Sequence, residues 1–345
     1  MLGRRANALS NPLPRGGWLG TAVLVVLSLF CLSLIACVLA SAFVAWRLLH
    51  PVRLPVHGNP AADADLIYRP LPARGYLIDP SLQPLTTSDH VALQGWFIPA
   101  PLSQNQPWPT TTPSLWSEKT VIIATNHGQN RLEPGFPTYA VAATLVSDGY
   151  NVILFDFRGT GESGGADITF GVLEVRDLVA LVHYARSLGP PGGQIAIWGF
   201  GTGGAAAIGA AAESPHVDAV IADSSYATLD GYLSREIPRW TRLPGLLMPF
   251  TLWSMEQEAG VSFGSFNPVQ AITALGGPSP RPLLLVTGAD DTVTPPEDAQ
   301  RLYAAAADPR SFLLTVPNAG HLQAYGKDPS GYLSHVLQIL QAMGQ

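Results

Sequence analysis

Short apolar runs alternate with longer helical patterns through most of the chain, and this alternation limits the fold more than any other feature. The apolar runs are of strand length and lie at 91–98, 121–125, 152–155, 195–198, 217–222, 283–287 and 312–316. The helical patterns lie between them, at 138–147, 172–187, 202–212, 296–306 and 331–343. Strands that are apolar at nearly every position and alternate with helices are typical of a parallel sheet with both faces covered. The sequence therefore predicts an α/β fold with a mostly parallel sheet and helices on both faces.

One segment interrupts this alternation. Residues 225–280 combine several prolines with large apolar side chains, among them Trp240, Phe250 and Trp253. We interpret this segment as a small cap insertion of mixed helix and loop. Its apolar side chains suit a hydrophobic or acyl ligand, and they suit equally well the packed interior of the cap itself.

The N-terminal region predicts one membrane-spanning helix. No charged residue occurs between Arg15 and Arg47, and about 20 apolar residues are enough to cross a bilayer as a helix. Trp18 and Trp46, near the two ends, match the interfacial positions that aromatic residues prefer. The predicted organisation is a tail at 1–17, a transmembrane helix at 18–46, a proline-rich stalk at 47–74 and one domain at 75–345.

Two kinds of processing compete with a retained anchor. The small residues Ala40-Ser41-Ala42 resemble a signal-peptidase site, and residues 34–37 resemble a bacterial lipoprotein site with Cys37 as the lipidated residue. The apolar region of a signal peptide is only about 7–15 residues long. Since this run is longer and stays apolar beyond Cys37, we expect the helix to be retained.

Charge and cysteine content exclude several classes of function. The first 53 residues carry five arginines and no acidic residue, so the net charge of −6 for the chain leaves −11 for residues 54–345. An acidic body without a basic cluster cannot neutralise phosphates, which argues against a nucleic-acid partner. Both cysteines, Cys31 and Cys37, lie in the apolar N-terminal run, so the domain has no thiolate metal site. We predict no metal and no cofactor, and expect as partners the membrane, through the N-terminal helix, and a small-molecule ligand.

Five short motifs carry the functional signal. In chain order they are Asn126-His127-Gly128-Gln129, the segment from Phe155 to Ser163 (FDFRGTGES), the segment from Ile195 to Ala205 (IAIWGFGTGGA), Gly288-Ala289-Asp290-Asp291 and Ala319-Gly320-His321. The third reads strand, tight turn, helix and matches the nucleophile elbow G-x-S-x-G except at its central residue. Together the motifs resemble the α/β-hydrolase superfamily, nearest to its serine aminopeptidase and lysophospholipase-like branch. We expect His127, Asp156 and Arg158 to shape their loops rather than to take part in chemistry.

The resemblance implies a catalytic role for several of these residues. Asp291 would fix the tautomer of His321 and stabilise its charged form, while His321 would transfer protons as base and acid. The backbone N–H groups of Gln129 and Thr202 would form an oxyanion hole, which needs no particular side chain. The nucleophile position corresponds to Gly201, which has no side chain.

Gly201 leaves two functional hypotheses open. In the first, the protein is a hydrolase of esters, amides or lipids in which Asp291 and His321 activate water, or in which Thr202 or Ser224 replaces the missing serine. In the second, it is a catalytically inactive pseudoenzyme whose cleft binds a ligand or partner. A residue at the apex of such an elbow has a positive φ, so glycine should relieve backbone strain there while removing the attacking oxygen.

The positions of the arginines generate a prediction about topology. Three of them precede the apolar run and two follow it, so the positive-inside tendency favours a cytoplasmic N-terminus and an outward-facing domain. Protease added to intact cells should therefore remove the domain from an uncleaved helix. Complete protection of the domain would contradict this orientation, and a mature protein that begins near Cys37 or Phe43 would establish processing.

Overall fold

Eight strands form one sheet in the computed structural model, which describes residues 17–71, 85–101, 116–188, 193–275 and 280–343. The order across the sheet is β1-β2-β4-β3-β5-β6-β7-β8. In chain order the strands are β1 (Arg69–Pro70), β2 (Gln94–Ile98), β3 (Lys119–Ala124), β4 (Asn151–Asp156), β5 (Gln194–Phe200), β6 (Ala219–Asp223), β7 (Leu283–Gly288) and β8 (Phe312–Val316). The six strands from β3 to β8 are parallel, whereas β1 and β2 are antiparallel to their neighbours. The predicted, mostly parallel sheet is confirmed.

Eleven helices are present in the described ranges. They are α1 (Gly17–Leu49), α2 (Pro60–Ala64), α3 (Thr138–Ser147), α4 (Glu174–Leu188), α5 (Thr202–Glu213), α6 (Leu229–Thr241), α7 (Met248–Ala259), α8 (Pro268–Ala274), α9 (Pro296–Ala305), α10 (Ala324–Lys327) and α11 (Pro329–Gln341). Successive strand residues point to opposite faces of the sheet. In β3, Ile122 packs with α4, α5, α8 and α9 on one face, whereas Val121 and Ile123 pack with α3, α10 and α11 on the other. Both faces are covered, which explains why the strands are apolar at nearly every position.

The segment predicted as a cap contains three helices. Of these, α8 packs in the sheet core through Ile272, whereas α6 and α7 pack with the end of α1 in a separate apolar cluster. That cluster includes Leu49 from α1, Leu233 from α6 and Met255 from α7. Residues 276–279, at the end of the predicted insertion, lie outside the described residues.

The described part of the segment predicted as a stalk packs on the domain. Helix α1 continues to Leu49, and Arg69–Pro70 forms an edge strand on β2. Between them, the Asn130 side-chain amide donates to Pro55 O at 2.9 Å, and Arg53 donates to Ser163 O at 2.5 Å. The prolines remove backbone donors, but their carbonyls still accept, so the segment satisfies its polar groups against the domain. Residues 1–16 of the predicted tail and residues 72–74 of the predicted stalk lie outside the described ranges.

Two buried ion pairs hold the loop that follows β4. Arg131 binds Asp156 through its side chain, with Nη2 to Oδ2 at 2.6 Å and Nε to Oδ1 at 3.1 Å. Asp156 also accepts the backbone N–H of Arg131 at 2.6 Å and that of Glu162 at 2.8 Å. Arg158 binds Asp177 at 2.7 Å. Asp156 and Arg158 therefore organise their loop, as the sequence suggested.

We predict that Arg131→Ala strongly destabilises the protein. Asp156 has no exposed surface, so the substitution leaves a buried carboxylate without its charged partner, at a cost of about 3–5 kcal/mol. Chemical denaturation of the detergent-solubilised chain measures the change in the free energy of unfolding. Arg301→Ala is the matched control, because Arg301 is 56% exposed and lies 3.9 Å from Asp298. The control should lose less than about 1 kcal/mol, and an equally small loss for Arg131→Ala would contradict the prediction.

Candidate functional site

The turn between β5 and α5 has the backbone geometry of a nucleophile elbow. Gly201 has φ 54° and ψ −117°, a conformation that costs a residue with a side chain on the order of 1–3 kcal/mol. Its N–H donates to Asp223 O at 2.8 Å, and its carbonyl accepts the Ser225 hydroxyl at 3.1 Å. A β-carbon on Gly203 would lie 2.6 Å from Ala124 O, so the helix can approach the sheet this closely only with glycine there. The expected positive φ at Gly201 is confirmed.

The side chain of Asn126 occupies the place where an elbow nucleophile would begin. A β-carbon built on Gly201 would lie 2.6 Å from Asn126 Cγ and closer still to its Oδ1. Asn126 follows β3, and its Oδ1 accepts the backbone N–H of Thr202 at 3.1 Å. The space released by the missing serine is therefore filled by a carboxamide.

Both amides expected to form the oxyanion hole are hydrogen-bonded within the protein. Thr202 N–H donates to Asn126 Oδ1 at 3.1 Å, and Gln129 N–H donates to Asn126 O at 3.1 Å across a tight turn. A substrate oxygen could bind at Thr202 N–H only after the Asn126 side chain moved away. In this arrangement Asn126 satisfies the donor that an oxyanion would otherwise engage.

Asp291 and His321 lie in contact at the carboxyl ends of β7 and β8. His321 Nδ1 is 2.9 Å from Asp291 Oδ2, the distance that the expected pairing requires. Asp291 Oδ1 accepts the backbone N–H groups of Val293 at 2.8 Å and Thr294 at 2.9 Å. Burial opposes the charged form of Asp291, but the hydrogen bonds from His321 and Thr294 outweigh it and hold the Asp291 pKa below its usual value.

The hydroxyl of Thr294 contacts both Asp291 and His321, a role that the sequence did not predict. Its hydroxyl lies 2.9 Å from Asp291 Oδ2, 2.9 Å from Ser224 O and 3.1 Å from His321 Nδ1. The local signal was the spacing: a threonine three residues after an aspartate can return a backbone and a side-chain donor to that carboxylate.

The hydroxyls considered as replacement nucleophiles are used in structural hydrogen bonds. Ser224 is 1% exposed, and its Oγ donates to Asp223 Oδ1 at 2.9 Å and accepts Leu322 N–H at 3.1 Å. It therefore ties the end of β6 to the loop that carries His321. Thr202 is 5% exposed, with Oγ1 at 3.4 Å from Asn126 Oδ1.

Two buried acidic residues, Glu133 and Asp223, lie near the elbow. Glu133 accepts the Asn126 N–H at 2.6 Å, and burial raises the pKa of Glu133 to about 7, with a further increase from the charge of Asp223. Asp223 accepts hydrogen bonds from Tyr332 at 2.8 Å and from Ser224, yet burial raises its pKa to about 6. Glu133 was also missed from the sequence, because nothing in its local pattern distinguishes it from a surface glutamate.

Three packed aromatic rings connect the loop of Asn126 to the cap. The His127 ring packs against Phe170 in a tilted arrangement at a centroid distance of 4.6 Å and stacks on Trp240 of α6 at 5.7 Å. Burial among these rings lowers the pKa of His127 to about 4, so this imidazole is neutral at pH 7. His127 packs between loop and cap, in keeping with the shaping role expected for it.

Comparisons with known proteins agree with this fold. The family described as X-Pro dipeptidyl-peptidase (S15 family) matches residues 96–248, which include the elbow but end before Asp291 and His321. The uncharacterized protein YfhR of Escherichia coli K12 is 25% identical over 76% of this chain and 78% of its own length. The uncharacterized protein YqkD of Bacillus subtilis is 28% identical over 56% of this chain and 63% of its own.

Among solved structures, the esterase Pf2001 of Pyrococcus furiosus superposes with a TM-score of 0.64. It is 25% identical, and the match covers 86% of this chain and 99% of the esterase. The α/β hydrolase GrgF of a Penicillium species is 21% identical, with a TM-score of 0.55 over 75% of this chain and 96% of its own. This second likeness concerns the fold alone.

The buried carboxyl of Glu133 generates a prediction about pH. Its pKa in the folded protein, about 7, lies above the usual value of 4.5, so the folded state binds more protons between these values. Stability therefore falls as pH rises from about 4.5 to 7, by a total on the order of 3 kcal/mol from this group. Glu133→Gln keeps an acceptor for Asn126 N–H and cannot ionise, so its stability relative to the unsubstituted protein should rise across this window.

Denaturation at closely spaced pH values measures this difference. Glu213→Gln is the control, because it makes the same substitution at an exposed glutamate. Parallel profiles for Glu133→Gln and the unsubstituted protein would show that Glu133 does not resist ionisation.

Proposed function

Because the chain belongs to the α/β-hydrolase superfamily, we propose that it is a membrane-anchored member whose cleft binds a small hydrophobic or acyl-bearing ligand without forming an acyl-enzyme. The observation that carries this proposal is the Asn126 carboxamide at the elbow. It fills the position of the missing nucleophile and accepts the N–H of Thr202, and the hydroxyls of Ser224 and Thr202 lie within hydrogen-bond distance of other protein groups. Helix α1, which includes a stretch from Gly20 to Leu49 long and apolar enough to cross a membrane, is the proposed anchor.

A second candidate function is hydrolysis by an activated water molecule. The contact between Asp291 and His321 favours it, because a carboxylate that holds an imidazole is the arrangement that general-base catalysis needs. Ester hydrolysis by the unsubstituted protein that disappears in His321→Ala would support this candidate over a purely binding role. Unchanged slow turnover in His321→Ala would support the binding role.

We predict that Gly201→Ser alone restores little activity, whereas Gly201→Ser with Asn126→Ala restores much more. The single substitution puts a side chain at positive φ, at a cost of about 1–2 kcal/mol, and forces it against Asn126. Removing the Asn126 side chain opens the nucleophile position and frees the Thr202 N–H. Since one oxyanion donor contributes about 10²–10³ in kcat, the double variant should hydrolyse p-nitrophenyl acetate at least about 100-fold faster than the single variant.

The controls separate a rebuilt site from nonspecific effects. Gly201→Ala with Asn126→Ala has the same steric change but no hydroxyl and should be inactive. Adding His321→Ala to the active double variant should abolish its activity. Equal rates for the single and double serine variants would show that Asn126 does not block the elbow.

A further inference from the structure

We propose that the exposed apolar face of the cap lies in the membrane interface beside α1, so that the cleft receives its ligand from the lipid phase. Both parts of this inference rest on the proposed anchoring of α1, and the part about the ligand rests in addition on the proposed ligand-binding role. The occupant is a phospholipid bilayer, at the boundary between headgroups and acyl chains.

The first step is the packing of α1 along α7. The buried positions of α1 are Ser41, Ala45 and Leu49, spaced four residues apart on one face, and α1 runs against α7 and the short turn before it. Small residues at two of these positions permit a close approach of the helices. Thr251 and Met255, also four apart, are the fully buried positions of α7. The cap is thus fastened to the last turns of the apolar helix.

The second step is the depth of that contact. Helix α1 has 33 residues and is therefore about 50 Å long, longer than the roughly 30 Å of hydrocarbon in a bilayer. Its first charged residue on this side is Arg47, so the hydrocarbon boundary lies near Trp46. Because the contact with α7 occupies residues 41–49, α7 lies at the depth of the interface.

The third step is the composition of the free face of the cap. Leu246, Phe250 and Trp253 are 83%, 45% and 57% exposed, and their spacing of four and three residues puts them on one side of the turn and helix. The charged residues nearest in sequence are Arg242 before them and Glu256 after them. Large apolar residues on one face of a surface helix are the pattern of interfacial binding. Exposure of these apolar side chains to water is unfavourable, whereas their contact with lipid beside α1 is favourable.

Helix α6 links the exposed face of the cap to the loop of Asn126. Helix α6 precedes α7 in the cap, and its Trp240 stacks on His127 at 5.7 Å. His127 is the neighbour in sequence of Asn126, which fills the nucleophile position. A cap seated in the interface therefore brings Trp240, and the loop of Asn126 that it contacts through His127, close to membrane lipid.

The experiment measures depth with a fluorophore on the full chain in liposomes of phosphatidylcholine and phosphatidylglycerol. Cys31 and Cys37 are first replaced by serine, and then Trp253→Cys is labelled with NBD. The matched control is Tyr303→Cys, because Tyr303 is an aromatic residue of α9 with 42% exposure. We expect a blue-shifted NBD emission at position 253 and a loss of that emission with doxyl-labelled lipid, and neither effect at position 303.

Two outcomes would overturn the membrane proposal. Water-like emission at position 253, unaffected by doxyl lipid, would place the cap in solvent. Emission that is blue-shifted only at high protein density and is insensitive to doxyl lipid would show that a second copy of the chain covers the face.

A second measurement tests the ligand route. In the reactivated variant with Gly201→Ser and Asn126→Ala, adding Phe250→Glu and Trp253→Glu should lower hydrolysis of a long-chain ester in vesicles by an order of magnitude. Hydrolysis of soluble p-nitrophenyl acetate should be unchanged, which shows that the fold and site are intact. Equal rates on the vesicle ester would overturn the lipid route. Failure of the reactivated variant itself, with NBD depth as expected, would contradict the proposed role of Asn126 at the elbow and leave the membrane contact standing.

Discussion

The backbone at residue 201 follows a turn with positive φ between a buried strand and a buried helix, and the rest of the site depends on that turn. A glycine removes both the strain and the side chain, which leaves a space bounded by the end of β3. Asn126 extends into this space, and its Oδ1 accepts the Thr202 N–H at 3.1 Å. Its own N–H is held by Glu133 at 2.6 Å. Thr202, Asn126 and Glu133 are therefore linked by hydrogen bonds. In this series Asn126 fills the nucleophile position and accepts from the N–H that an oxyanion would otherwise engage.

The intact contact between Asp291 and His321 has two explanations, catalytic and structural. Asp291 accepts the N–H groups of Val293 and Thr294, so it stabilises the turn after β7 whether or not the protein turns over a substrate. The neighbouring Ser224 accepts Leu322 N–H, which ties the histidine loop to β6. These contacts give the acid and its loop a stabilising role of their own. The side chain of Asn126 at the elbow is therefore more informative about function than the contact between Asp291 and His321.

Much of the fold could be predicted from the sequence, because strands buried on both faces leave an apolar pattern that requires no knowledge of their partners. The contact between Asp291 and His321 followed from motif order, since parallel strands bring their carboxyl ends to one edge of the sheet. The role of Asn126 could not be predicted in this way. It depends on where a side chain that follows β3 meets a vacant position that follows β5, and these residues are 75 apart in the chain. The packing of the proline-rich segment was missed for the same reason: Pro55 and Asn130 meet only in the folded protein.

We propose that Asn126 closes the elbow to covalent chemistry and that no displaced nucleophile serves it. Treatment of the unsubstituted full chain with a fluorophosphonate, followed by intact-mass measurement and peptide mapping, tests it most directly. We expect no covalent adduct at the hydroxyls near the elbow, under conditions in which a serine hydrolase control is fully labelled. A stoichiometric adduct that maps to Thr202 or Ser224 would contradict this proposal and identify an active enzyme with a relocated nucleophile.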